Sequence, residues 1–154
     1  MLLTIEKVLV LKNVGIFSTT SEEFLADIAT LMEEEVHDAG QVIIEQDTEP
    51  SFMYVVLEGE LKVSVDGGDS TTHEDDIELA TLSDNDIFGE MSFFLNDAKH
   101  TATVTTTTQT YVLKLHHEDF EEIMYDYPQV TQGIIREFAR RLRESNERVV
   151  DLGT

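Results

Sequence analysis

The segment from 88 to 104, FGEMSFFLNDAKHTATV, holds the residues of this chain whose types and spacing best suit the binding of an anion. Gly89 permits a close backbone approach that a Cβ atom would obstruct, and the amides of Met91 and Ser92 would point at a ligand from a short helix start. The Glu90 carboxylate only accepts hydrogen bonds, so it suits a sugar hydroxyl and repels a phosphate unless a cation stands between them. The pattern therefore predicts an anion site that needs a positive charge.

The cationic candidates of this segment are Lys99 and His100, which Thr101 follows. Neighbouring residues of a strand point to opposite faces, so we expect only one of the two cations to face the pocket. A protonated histidine pairs with phosphate, so an affinity that depends on His100 should strengthen as the pH falls. The competing interpretations are an exposed loop histidine for His100, a solvated strand-end acid for Glu90 and a simple turn for Gly89.

The composition excludes several functions. With 154 residues, of which 41% are hydrophobic, the chain suits one compact domain over residues 1–154. The formal net charge of −22 predicts a surface that repels nucleic acid and anionic membranes. The absence of cysteine excludes disulfides and thiol catalysis. All five arginines fall in the last predicted helix: Arg136, Arg140, Arg141, Arg143 and Arg148.

The N-terminal sequence MLLTIEKVLVLKNVGIF is apolar, but Glu6, Lys7 and Lys12 interrupt it. This pattern matches neither a signal-peptide core nor a membrane span, and no other apolar run approaches spanning length. The sequence therefore predicts a soluble protein of the cytoplasm.

The hydrophobic period changes twice along the chain. Thr20 and Glu23 predict a capping box in front of an amphipathic helix that ends near Glu33. Short runs rich in β-branched and aromatic residues follow, and the helical period returns at His117 and again after Pro128. The predicted bounds are N-terminal helices over about 3–33, a β region over about 36–115 and C-terminal helices over about 117–150.

The β region predicts an antiparallel sandwich, jelly roll or small barrel, because its strands are short and glycines separate them. Leu61, Val63 and Val65 alternate with Lys62 and Ser64, which is typical of a half-buried antiparallel strand. The helices at both ends make the fold class α+β.

Four segments and a closing helix, taken in order, resemble the cyclic nucleotide-binding domain family. They are AGQVIIEQD (39–47), FMYVVLEGELKV (52–63), DNDIFGEMSFF (84–94), TATV (101–104) and REFARRLRE (136–144). The match runs from about residue 14 to 145, nearly the whole chain. The resemblance implies an antiparallel β-roll of about eight strands, of the double-stranded β-helix type, flanked by N-terminal and C-terminal helices.

The same resemblance implies that the segment from Phe88 to Val104 is a phosphate-binding cassette, with cAMP or cGMP as the ligand and no other cofactor. Family members that bind these ligands carry an arginine about ten residues after the glutamate, and that position falls on His100 here. Losing a bidentate arginine contact costs on the order of 1.5 to 3 kcal/mol per hydrogen bond, which weakens binding tenfold or more. The substitution therefore argues against ordinary cyclic nucleotide binding.

Three classes of function remain open. The first is a non-catalytic regulatory module that senses a cyclic nucleotide or another small anion and signals through its C-terminal helix. The second is a degenerate domain that binds no nucleotide and serves as a docking or dimerisation unit of a larger protein. The third is a metal-dependent enzyme of the cupin type, which the spacing of the five histidines disfavours.

The last helix and the chain ends bear on the partners. Ile135, Phe138, Leu142 and Val149 fall close to heptad spacing, so the helix either pairs with its twin in a homodimer or packs on its own β-roll. A DNA reader would follow this helix in a transcription factor of the family, and we expect none in a chain that stops at Thr154. The N-terminal lead-in resembles domains appended to larger regulated proteins such as transporters.

Overall fold

The computed structural model describes residues 2–68, 75–90 and 99–153, with the side chains of the last helix up to Glu147. Met91 and Ser92, two of the predicted site residues, lie outside these ranges. By its contacts the chain divides into two compact units. The first is formed by Leu31–Phe120, and the second by Leu3–Thr30 with Glu121–Thr154.

The first unit contains the β-strands, eight of them among the described residues. They are β1 (Glu33–His37), β2 (Val42–Ile44), β3 (Phe52–Glu58), β4 (Leu61–Val65), β5 (Ile77–Leu82), β6 (Ile87–Phe88), β7 (Thr103–Thr106) and β8 (Thr110–His116). The strands form two antiparallel sheets, one in the order β1-β8-β3-β6 and the other in the order β2-β7-β4-β5. The predicted antiparallel β-roll of about eight strands is confirmed.

Within the described ranges the helices lie before and after the strands in the chain, which confirms the α+β class. They are α1 (Thr4–Lys12), a 3-10 helix (Gly15–Phe17), α2 (Glu22–Leu31), α3 (His117–Asp126) and α4 (Pro128–Gly153). The breaks predicted at His117 and Pro128 are therefore the starts of α3 and α4.

Apolar side chains from both sheets form one buried cluster. Its members are Ile44, Tyr54, Val56, Leu61, Phe88, Val104 and Val112. Since β-branched and aromatic residues fit the pleated surface of a sheet, the runs that predicted the strands also supply this core.

The alternation predicted for β4 is wrong at one residue. Ser64 was expected to face solvent, but only 2% of its surface is exposed. The pairing of β4 with β5 shifts register between Val63 and Ser64, as at a β-bulge. Val63 pairs with Ala80 and Ser64 with Glu78, so the extra residue is Leu79 of β5, while the register of β4 with β7 continues unbroken through Ser64.

The first strand was missed. Glu33 ends the helix predicted from the sequence, whereas in the structure α2 stops at Leu31 and Glu33 begins β1. Three consecutive glutamates have low strand propensity, and tertiary pairing overrides it because β1 pairs along its whole length with β8. The cap of α2 is also displaced by one residue, since the Phe24 amide donates to the Ser21 hydroxyl at 3.5 Å rather than to Thr20.

In the second unit α4 packs closely on the 3-10 helix. A Cβ atom at Gly133 would lie 2.3 Å from the carbonyl oxygen of Ile16, so the helix can approach this backbone only through glycine. Tyr127 precedes α4, stacks against Phe24 at 4.5 Å between ring centroids and donates to the Asp27 carboxylate at 3.0 Å. These contacts fix the start of α4 against α2.

The part of the chain that the structure describes includes no helix whose length and apolarity would let it cross a membrane.

Candidate functional site

A cavity of about 390 Å³ opens in the first unit beside β2 and the start of β3. Its wall is made by Val42, Ile43, Ile44, Glu45, Thr48, Glu49, Ser51, Phe52, Tyr54 and His100. Ligand pockets that enclose small molecules have volumes of roughly 300 to 1,000 Å³, so the space suits a nucleoside-sized ligand. Of the predicted site residues that the structure describes, His100 alone lies on this wall.

Backbone hydrogen bonds hold His100 at the cavity. Its amide donates to the carbonyl oxygen of Thr48 at 3.0 Å, and the Asp47 amide donates to its carbonyl oxygen at 2.8 Å. His100 is 7% exposed, whereas the flanking Lys99 and Thr101 are exposed. Of the two residues that the sequence offered as cations, His100 therefore lies on this wall and Lys99 does not.

The electrostatic environment keeps His100 uncharged. Burial lowers the pKa of His100, and the nearby His117 lowers it further, because both effects disfavour the imidazolium. An unperturbed histidine is already largely neutral at pH 7.5, and a lowered pKa makes it more so. At that pH His100 offers a ligand one hydrogen bond and no positive charge.

Two carboxylates on the same wall were not singled out from the sequence. Glu45 and Glu49 follow β2 in the turn that leads to β3, and both contribute to the cavity. Among the described residues of the wall there is no lysine or arginine. Glu45 falls in the segment AGQVIIEQD, which carries part of the family resemblance, and no pattern in the sequence marked either glutamate as a site residue.

Gly89 adopts a left-handed backbone, with φ at 85°. A Cβ atom there would lie 2.8 Å from the carbonyl oxygen of Phe52 and 3.3 Å from Cδ1 of Ile44. The close approach predicted for Gly89 is therefore made to the chain's own strand β3. The residue holds the start of the predicted cassette against the sheet.

His117 secures the same point from the other side. Its Nε2 donates a hydrogen bond to the carbonyl oxygen of Gly89 at 3.1 Å, and its amide donates to the carbonyl oxygen of Ser51 at 3.0 Å. Burial lowers the pKa of His117, although hydrogen bonds to Gly89 and Phe52 act in the opposite direction. The contact of His117 with Gly89, 28 positions earlier in the chain, was not predicted from the sequence.

The Glu90 carboxylate is buried, with 5% of the residue exposed. It is not a member of the cavity wall within the described ranges. Its ligand-binding role stays a prediction, as do those of Met91 and Ser92, which the structure does not describe.

Phe52 and Tyr54 are the aromatic residues of the cavity wall. Tyr54 stacks on Phe88 with 4.8 Å between centroids and 11° between planes. Burial, with the charge of Glu35, raises the pKa of Tyr54 to about 12. The ring of Phe52 lies 4.6 Å from the Lys114 ammonium, so this lysine covers an aromatic ring while it pairs with Glu35 at 2.7 Å.

The comparison with known families identifies this arrangement. The family model described as the cyclic nucleotide-binding domain matches residues 34–127, which is 94 of the 154 residues. The chain belongs to the cyclic nucleotide-binding domain family. This family identity confirms the resemblance stated above. The cavity occupies the β-roll of a cyclic nucleotide-binding domain, between the strands that carry the matching segments.

The relatives of this cyclic nucleotide-binding domain include proteins with different functions. The Pycsar effector protein PaPycTIR of Pseudomonas aeruginosa is 36% identical over 126 residues, 82% of this chain and 37% of that protein. A CRP-like cAMP-activated global transcriptional regulator of Mycobacterium tuberculosis is 22% identical over 93% of this chain and 62% of that protein. The chain thus spans only part of each of these relatives.

The fold also matches the regulatory subunit of a cAMP-independent protein kinase A from Trypanosoma cruzi, solved with bound guanosine. The TM-score is 0.73 at 22% identity, and the match covers 98% of this chain and 51% of that one. At this identity the likeness shows the fold alone. Regulatory proteins recur among the relatives of the family, so a regulatory module is the coarse function of this chain.

Within the described ranges no three histidine, aspartate or glutamate side chains come together as metal ligands would.

Proposed function

We propose that this chain is a non-catalytic regulatory module whose cavity senses an uncharged nucleoside in preference to a cyclic nucleotide at neutral pH. The observation that carries the proposal is the wall on which the neutral His100 stands with Glu45 and Glu49. A cyclic nucleotide brings a phosphate with one negative charge to this wall. An uncharged nucleoside presents only hydroxyls and a base.

The energies favour the nucleoside. A phosphate next to a carboxylate at 4 Å is destabilised by about 1 kcal/mol in water and by about 4 kcal/mol at the effective dielectric of a protein surface. The single hydrogen bond of a neutral histidine does not offset this repulsion, whereas carboxylates are good acceptors for ribose hydroxyls. Phe52 and Tyr54 supply apolar area for a base. The guanosine bound to the Trypanosoma cruzi subunit supports a nucleoside as the probe.

Protonation of His100 extends the proposal to cyclic nucleotides. The imidazolium pairs with phosphate, so cyclic nucleotide affinity should rise as the pH falls below the usual histidine range. Burial lowers the pKa of His100, so this rise is displaced to more acidic pH than an unperturbed histidine would give. The cyclic nucleotide or other small anion that the sequence predicts as the ligand would then bind mainly at acidic pH.

Signal output is assigned to the C-terminal helix α4. Ligand binding that differs between two states of the module shifts their populations by that difference in affinity. We expect the output to reach a larger regulated protein, for which a transporter or another effector stays a prediction. We expect the module to work in the cytoplasm, where nucleosides and nucleotides are present.

Calorimetric titration tests the proposal. Guanosine, adenosine, cGMP and cAMP are titrated into the protein at pH 7.5 and at pH 5.5. At pH 7.5 a nucleoside should bind at least about tenfold more tightly than the cyclic nucleotide of the same base, a difference of about 1.4 kcal/mol. A cyclic nucleotide that binds more tightly than its nucleoside at pH 7.5 overturns the proposal.

Two matched variants distinguish an effect of the cavity wall from an effect of the exposed surface. His100→Arg should strengthen cyclic nucleotide binding at pH 7.5 by about tenfold or more, because arginine supplies charge-assisted hydrogen bonds to phosphate. Lys99→Arg, one residue away and exposed, should change the affinity less than about twofold. Equal effects of the two variants would remove His100 from the site.

A second candidate, a docking or homodimer unit, rests on the exposed apolar residues of α4. Ile135 is 64% exposed and Leu142, seven residues later, is 63% exposed. Sedimentation at micromolar concentration should give a dimer that Leu142→Glu converts to a monomer, because a charge replaces a heptad contact. Leu9→Glu on α1, where Leu9 is 57% exposed, is the matched control and should stay a dimer. A monomeric unmodified protein discards this candidate.

A further inference from the structure

A groove of about 540 Å³ lies in the second unit between the 3-10 helix and α4. Its wall includes Gly15 and Gly133, where the two backbones come close, and the side chains Arg136, Glu137, Arg140 and Arg143 of α4. The groove is remote in sequence from the β-roll residues of the cavity described above.

Glycine creates the groove. A Cβ atom on Gly15 would lie 2.5 Å from the Glu137 carboxylate, so this acid occupies the space that any other residue would fill. Glu137 in turn pairs with Arg140, and Arg140 also reaches Glu144 at 2.5 Å. The pairing with Arg140 lowers the pKa of Glu137. At the centre of the groove the charge of Glu137 is therefore neutralised by Arg140.

The two ends of the groove are positive. Arg136 and Arg143 flank the pair, and neither guanidinium group has an ion pair or hydrogen bond with any part of the chain that the structure describes. They are seven residues apart, which is two turns and about 10 Å along the helix axis. Both residues are exposed. The backbone positions of these two arginines, which have no acidic partner among the described residues, are therefore about 10 Å apart along α4.

This positive surface contrasts with the rest of the molecule. The formal net charge is −22, and all five arginines lie in the sequence of α4. At physiological salt the screening length is about 8 Å, so a ligand on the groove experiences mainly the charges of this stretch of α4, where Glu137 and Glu144 are already paired with Arg140. Nucleic acid extends far beyond the groove and meets the acidic surface, whereas a short peptide does not.

We propose that the groove docks an acidic peptide segment of a partner protein. An extended chain advances about 3.3 Å per residue, so carboxylates three residues apart are spaced by about 10 Å and match Arg136 and Arg143. Each guanidinium fork grips a carboxylate through two parallel hydrogen bonds. A compact anion such as phosphate would need donors close to one point, whereas these two arginines are two helical turns apart.

Fluorescence anisotropy with a labelled peptide of the repeat Glu-Gly-Gly, four repeats long, tests the proposal on the whole chain. Binding should appear at 50 mM salt and weaken as salt rises, and the same peptide with glutamine in place of glutamate should not bind. A glutamine peptide that binds equally, or no binding of the glutamate peptide at low salt, overturns the proposal. Labelled oligothymidine that binds as tightly as the peptide overturns it in favour of nucleic acid.

Matched variants locate the site. Arg136→Glu and Arg143→Glu should each weaken peptide binding by about tenfold, and Arg143→Lys should keep part of it. Lys62→Glu makes the same change in net charge on the exposed side of β4 and should change binding less than about twofold. Equal losses in all three charge reversals would show an effect of net charge alone. His100→Arg should leave peptide binding unchanged, which separates this groove from the proposed ligand cavity.

Discussion

His117 donates a hydrogen bond from Nε2 to the carbonyl oxygen of Gly89 at 3.1 Å, across 28 positions of the chain. This bond joins the first residue of α3 to the start of the segment from which the site was predicted. It fixes the left-handed turn at Gly89 from one side, while the carbonyl oxygen of Phe52 limits it from the other. Local stability of the site should therefore depend on these contacts.

His117→Ala should lower the free energy of unfolding by about 0.5 to 1.5 kcal/mol, since it removes one half-buried hydrogen bond. Urea denaturation measures the change. His117→Gln keeps a side-chain donor at a similar reach and should recover part of the loss. If the alanine and glutamine variants are equally stable, the hydrogen bond to Gly89 contributes nothing.

Gly89→Ala should destabilise the fold more than Gly40→Ala, and the two positions form a matched pair. Both glycines have positive φ, 85° at Gly89 and 83° at Gly40. The left-handed backbone therefore destabilises the fold by about 1 to 2 kcal/mol in either alanine variant. A Cβ atom at Gly40 meets nothing within 4 Å, whereas at Gly89 it lies 2.8 Å from the Phe52 carbonyl oxygen.

The difference between these two variants should be about 1 to 3 kcal/mol, the cost of overpacking against backbone. Thermal or urea unfolding of the pair, compared with the unmodified protein, provides the measurement. Equal destabilisation would mean that the strand and the turn separate at little cost, contrary to the close packing of β3 on this turn.

Stability should fall as the pH decreases from 6.5 towards 5.5. Burial lowers the pKa of both His100 and His117, so the unfolded chain binds more protons than the folded one in this range. Their stabilising contribution is complete above the unfolded pKa of about 6.5 and is lost as the pH falls through the lower folded values. The carboxylates whose pKa is lowered, such as Glu137, act only below about pH 4.5.

Melting temperatures recorded between pH 7.5 and 5.5 check this pH dependence. The double variant His100→Asn, His117→Gln should flatten the curve, because neither replacement titrates. A double variant with the original slope would show that His100 and His117 do not cause the pH dependence.

Glu45→Gln and Glu49→Gln should each strengthen cyclic nucleotide binding at pH 7.5, by roughly threefold to tenfold, since each removes a negative charge from the cavity wall. Nucleoside affinity should change little or fall, because an amide is a weaker acceptor than a carboxylate for a ribose hydroxyl. The same calorimetric titration gives both values. Glu58→Gln, on an exposed position at the end of β3, is the control for net charge.

The fold could be predicted from the sequence because its signals are local. Alternating and helical periods in AGQVIIEQD, FMYVVLEGELKV and the segments after Pro128 each lie within a short window, and their order matches one family. The failures in the fold came from tertiary pairing. EEEVH became β1 because β8 provides a partner along its length, and Ser64, which pairs with Thr103 of β7, is buried at a position where the alternating pattern predicted exposure.

The site was predictable in part. The sequence by itself determined the family, the sign of the surface charge and the substitution of histidine for arginine at His100. Only the tertiary structure decided that Glu45 and Glu49, about fifty positions earlier, stand on the same wall as His100. Backbone pairing of Asp47 and Thr48 with His100 brings these segments together. The electrostatic energy of a ligand in a cavity depends on its distances to the charged groups of the wall. The spacing of residues in the sequence determines such distances only within a single helix or strand.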